Sequence, residues 1–165
     1  MKKIKKKFNI LITSEQSDYR EAKETLIPLA NLAEPDEDEV ETCEFYTEGD
    51  LEISPDGQFS LSYDESELTG MKGAVTSVNF NLSEPTLVTL MRSGEYRMAM
   101  VFERGARHIC TYQTPYMPIE MAVTTKKLEN SLTADGGHLY VEYSIDAGGM
   151  RCEKAKIRLE ARECK

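Results

Sequence analysis

Phe59-Ser60-Leu61-Ser62-Tyr63-Asp64-Glu65-Ser66-Glu67-Leu68-Thr69-Gly70-Met71-Lys72-Gly73 is the stretch whose reading decides the fold. Up to Tyr63, apolar side chains alternate with serines. A period of two belongs to a strand with one face inside and one in water. A polar turn carrying two glycines follows, and alternation resumes at Thr76, Val78, Phe80 and Leu82. The stretch therefore reads as strand, turn, strand. It also gathers Asp64, Glu65 and Glu67 with a tyrosine and the hydroxyls of Ser66 and Thr69. Loops held by a rigid scaffold are where chemistry usually collects.

Working backwards, Ser54-Pro55-Asp56-Gly57 is a turn: proline presets φ and glycine accepts the last position. It joins an extended segment, Glu41 to Ile53, to the Phe59 strand as an antiparallel hairpin. Earlier still, Ile4, Lys6, Phe8, Ile10 and Ile12 share a face over residues 3–13. Lysine-rich alternation of this kind suits a strand near a sheet edge, where charge discourages intermolecular pairing. Residues 14–38 break the pattern. Ala22, Leu26, Leu29, Ala30 and Ala33 have helical spacing, but Pro28 interrupts it. This segment reads as a short helical or irregular acidic insert after the first strand.

Working forwards, strand follows strand. Ser83-Glu84-Pro85, Arg92-Ser93-Gly94-Glu95, Arg104-Gly105, Asp135-Gly136-Gly137 and Ala147-Gly148-Gly149 punctuate the chain as turns. Between them run alternating faces: Met98, Met100 and Phe102; His108, Cys110, Tyr112 and Thr114; Ile119, Met121 and Val123; Leu139, Val141, Tyr143 and Ile145; Ala155, Ile157, Leu159 and Ala161. Turns spaced about 8–12 residues apart predict an all-β fold. The expected fold class is an antiparallel up-and-down β-barrel of about eight to ten strands, because closure removes both sheet edges. The whole chain, 1–165, reads as one domain.

Composition narrows the function. The chain has 165 residues, 40% of them apolar and 30% charged, enough to bury roughly 70% of its unfolded surface. Its net charge of -9 repels phosphate, so no nucleic-acid partner is expected. Five lysines among residues 2–7 and an acidic run from Glu34 to Glu41 read as solvated surface. The apolar run Phe8 to Ile12 is interrupted by Asn9 and is too short for a signal peptide. No segment approaches the roughly 20 apolar residues of a membrane span. The expected compartment is the cytoplasm, with no membrane partner. There Cys43, Cys110, Cys152 and Cys164 stay thiols. Without C-x-x-C spacing, and with two histidines, no metal site is expected. No glycine-rich phosphate loop opens a helix, so no cofactor is expected.

The ordered series Tyr63-Asp64-Glu65-Ser66-Glu67-Leu68-Thr69-Gly70-Met71-Lys72-Gly73, Arg92-Ser93-Gly94, Met100-Val101-Phe102-Glu103-Arg104-Gly105 and Tyr112-Gln113-Thr114-Pro115-Tyr116, with Gly136-Gly137 and Tyr143, resembles the YwiB-like family of bacterial proteins. The similarity runs from about Glu44 to Ala161. It implies a lipocalin-like (calycin-like) barrel and no assigned activity. Two departures stand out: a longer segment at Glu15–Glu39, and Met117-Pro118 where a glycine is expected.

Candidate ligand-binding residues follow from the barrel. Tyr63, Glu65, Glu67, Thr69, Arg92, Tyr112 and Thr114 would form a polar ring at its mouth, with Met98, Met100 and His108 further along the same faces. Methionine adapts its shape to a ligand, although a methionine stripe is as readily core filler. The expected ligand is small and partly apolar. An alternative is a protein-interaction or self-association module, built on the basic start and the acidic insert. Two catalytic readings are weaker. Glu65 and Glu67 would share a face of an extended strand as paired carboxylates. His108 and Cys110 would share a face as a Cys–His pair.

Overall fold

The computed structural model describes residues 3–18, 40–64, 73–147 and 150–164. Of the helical or irregular insert expected at 14–38, residues 14–18 are strand and residues 19–38 lie outside the described residues.

Wherever the sequence alternates, the backbone is a strand: β1 (Ile4–Asp18), β2 (Val40–Ile53), β3 (Gln58–Asp64), β4 (Val75–Asn81), β5 (Glu84–Ser93), β6 (Met98–Glu103), β7 (Arg107–Gln113), β8 (Pro118–Asn130), β9 (Gly136–Ala147) and β10 (Met150–Glu163). No helix occurs among the described residues, and none is long and apolar enough to cross a membrane. All neighbouring strands are antiparallel, in the order β6-β5-β4-β3-β2-β1-β10-β9-β8-β7. Every connection but one is a meander step, and β1 meets β10 to carry the sheet around.

Three expectations need correction. β1 does not end near Thr13. It continues to Asp18, because Ser14 to Asp18 remain paired with β10. Nor is β1 at an edge; it is central, between β2 and β10. Its outward lysines offset carboxylates on β2 instead of guarding an edge: Lys7 Nζ lies 2.6 Å from Asp50 and Lys3 Nζ 3.3 Å from Glu52. Third, closure does not remove both edges. β6 and β7 follow each other in sequence yet pair only at Arg97↔Gln113, through bonds of 2.9 and 2.8 Å. The barrel is thus nearly closed, with a seam between β6 and β7. The lower end of the seam is pinned to β8, where the turn between β6 and β7 continues the β7–β8 pairing past Arg107↔Thr124. Gly105 N–H donates to the Thr125 carbonyl (2.9 Å), and Thr125 N–H donates to the Ala106 carbonyl (3.1 Å).

The barrel interior has two unlike ends. At one end, Phe8, Leu51, Phe59, Phe80, Val88, Phe102, Leu128, Leu132 and Leu139 fill the lumen. Phe59 stacks on Phe80 with centroids 4.5 Å apart. The turns below are tied together: Leu82 N–H donates to the Gly57 carbonyl (2.9 Å), and Asn81 Nδ2 donates to the Asp56 carbonyl (3.3 Å). Gly49 lets β2 pass close to its neighbours. A Cβ there would lie 2.7 Å from the Ser62 carbonyl oxygen and would collide with Ile10 Cδ1. The opposite end is where β1, β3, β5, β7 and β9 finish, and the described residues do not fill it.

Candidate functional site

At the unfilled end, the inward residues of the strands enclose a cavity of about 460 Å³. This volume is within the range of about 300–1,000 Å³ usual for small-molecule sites. Strand parity explains its lining. On β3 to β6, Tyr63, Thr76, Arg92 and Met98 occupy one cross-strand row, each opposite the next. Side chains in one such row stand on the same face of the sheet. Below the row lie Val78, Leu90 and Met100. From across the lumen come Ile12, Met121, Ile145, Ile157 and Leu159, which make most of the wall apolar. Polar groups are fewer: Ser14 and Gln16 from β1, Cys43 from β2, Tyr112 from β7, Tyr143 from β9 and Glu153 from β10.

Tyr143 forms the boundary between the two ends. Its ring packs on Phe102 with centroids 4.8 Å apart, and it is 4% exposed. Burial holds its hydroxyl protonated well above the usual tyrosine range; the Glu153 charge pushes the same way and the Arg92 charge opposes it. Both charges therefore act on one hydroxyl. Thr76 is 1% exposed, and its Oγ1 has no hydrogen-bond partner among the described residues. A buried orphan hydroxyl is uncommon and calls for an occupant such as water.

Of the ten residues proposed from sequence, the structure brings Tyr63, Arg92, Met98, Met100 and Tyr112 together around the cavity. Glu65, Glu67 and Thr69 lie outside the described residues, and so does the paired-carboxylate reading. His108 points inward but sits at the far end of β7, with Nε2 3.1 Å from Glu103 Oε1 and away from the cavity. Thr114 is a turn builder at the rim: its Oγ1 donates to the Met117 carbonyl (2.8 Å) and accepts from Met117 N–H (3.1 Å). No bond joins His108 to Cys110, and burial pushes the Cys110 thiol up, the reverse of an activated nucleophile. Among the described residues, no cluster of three His, Cys, Asp or Glu could hold a metal.

Sequence reasoning missed Ser14, Gln16, Cys43, Tyr143 and Glu153. Parity carried the signal. Extending the Ile4–Ile12 face by two steps reaches Ser14 and Gln16, and extending the Ala155–Ala161 face back by one reaches Glu153. Polar side chains at the end of an apolar run were read as the end of the strand.

The fold and site define a class: a ten-stranded, nearly closed antiparallel barrel, packed at one end and hollow at the other. The chain belongs to the family described as Domain of unknown function (DUF1934), which it matches over residues 27–159. A curated relative is the uncharacterized beta-barrel protein YwiB of Bacillus subtilis (strain 168), 27% identical over 113 residues, covering 68% of this chain and 75% of that protein. The crystal structure of the ywiB protein from Bacillus subtilis superposes with a TM-score of 0.67 at 21% identity, covering 94% of this chain and 92% of that one. At that identity the likeness establishes the shared barrel architecture.

Proposed function

We propose that the barrel binds a small, partly apolar molecule in its open end. One observation carries this reading: a cavity of about 460 Å³ with apolar and polar side chains in its wall, beside a cluster of buried apolar residues. Core positions are normally filled, because empty volume forfeits dispersion contacts. A hollow that persists beside tight aromatic packing is therefore in keeping with an occupant. Met98, Met100 and Met121 supply an adaptable surface for it. The same reading puts the protein to work in the cytoplasm, where Cys43, Cys110 and Cys164 remain thiols.

The test begins with protein purified from cells, extracted with organic solvent and analysed by mass spectrometry, followed by a thermal-shift screen of metabolites and lipids. A bound or stabilising compound is expected. Leu90→Trp combined with Met121→Trp, which puts two large rings into the cavity, should keep the fold and weaken the shift. An empty extract with no hit in the screen overturns the reading.

A second reading, self-association, draws on an apolar lip at the same end, where Tyr116, Met117 and Ile119 are exposed. Light scattering across a concentration series tests it. A constant monomer mass rejects it.

A further inference from the structure

We infer that the cavity selects an uncharged amphiphile: an apolar body carrying a hydrogen-bonding head, such as an alcohol, a phenol or a primary amide. This inference rests on the ligand-binding reading above and specifies the chemistry of its occupant.

The first argument is charge balance. Among the described residues, the cavity wall carries one cationic side chain, Arg92, and one anionic side chain, Glu153. Both already have partners within the protein. Their fields meet at Tyr143, where they act in opposite senses. An ionic ligand would have to draw one of them from its partner, or sit against the apolar wall with no counter-charge of its own among the described residues. Either is costly, because charge taken out of water is offset only by good pairing. A neutral ligand leaves the balance intact.

The second argument concerns what a neutral head could bond to. The Tyr143 hydroxyl stays protonated and so offers both a donor and lone pairs. The hydroxyls of Ser14 and Tyr112 and the Gln16 amide add neutral donors and acceptors to the same wall. The third argument is the field of the whole molecule. A net charge of -9 works against anions in particular. Fatty carboxylates are therefore poor candidates, although the apolar wall alone would accept them.

The experiment uses a neutral solvatochromic dye, Nile red, bound to the full chain and displaced by 1-octanol, octanoate or octylammonium at neutral pH. Octanol is expected to displace the dye at a concentration at least about tenfold below either ion. Because octanol is intrinsically more apolar, two variants hold the ligands constant and change the wall. Glu153→Gln should improve octanoate relative to octanol by about tenfold. Arg92→Gln should do the same for octylammonium. An ion that binds the unaltered protein as well as octanol does, or a ranking that neither variant changes, overturns the inference and leaves the binding reading standing. Dye binding left unchanged by Leu90→Trp combined with Met121→Trp, or a dye that no compound displaces, overturns the binding reading and the inference with it.

Discussion

The two ends of this barrel are made from the same ten strands and the same alternation, yet one is solid and the other hollow. At the solid end most strands contribute a buried apolar group, among them Phe8, Leu51, Phe59, Phe80 and Phe102. At the hollow end the wall includes the small or flexible Ser14, Cys43 and Met98 and the polar Gln16, Arg92 and Glu153. The difference is one of side-chain volume and polarity, not of backbone. A barrel of about this size has room for packed side chains or for a cavity, and among the described residues this one has a packed end and a hollow end.

The comparison fails if truncations cost the same at both ends. Phe59→Ala should be the most damaging single change. It removes a fully buried ring from a stack and leaves a void, costing about 3–5 kcal/mol in urea unfolding. Gly49→Ala probes the tight wall between the two ends. Its Cβ would crowd the Ser62 carbonyl and Ile10, and overpacking of this kind costs about 1–3 kcal/mol.

Tyr143→Phe sharpens the boundary through pH. The Tyr143 hydroxyl has a folded pKa above its ordinary value of 10.0, so its contribution is whole below pH 10 and is lost as pH rises beyond it. At about pH 11 the unfolded chain ionises and the native one does not, a loss of about 1.4 kcal/mol. The Phe variant should lack this part of the alkaline decline. Equal slopes for both proteins would remove Tyr143 from the buried boundary. Met98→Ala should be the mildest, at about 1 kcal/mol or less, because a half-buried side chain facing an existing void has few contacts to lose. A cost approaching that of Phe59→Ala would mean the hollow end is packed.

Much of the architecture was legible. Turn residues at Ser54–Gly57 and Arg104-Gly105, and period-two faces such as Leu139–Ile145, place strands with little ambiguity, because each is a local rule. Three of the seven residues expected in the polar ring, Tyr63, Arg92 and Tyr112, line the cavity, on faces whose parity is plain. His108 was misplaced because parity says which way a side chain points but not how far along the axis it sits. That depends on the stagger of the strands. β1 was misread as an edge because its outward lysines look like edge protection, and their carboxylate partners, Asp50 and Glu52, lie more than 40 positions away.

The sequence by itself determined the strands, their inward faces and a meander that closes, because periodicity and turn chemistry act between near neighbours. Only the tertiary structure decided that β1 seals against β10, that a seam remains between β6 and β7, and that one end stays hollow. Those outcomes depend on register around a closed wall and on volumes summed across the lumen, and both arise from residues far apart in the chain.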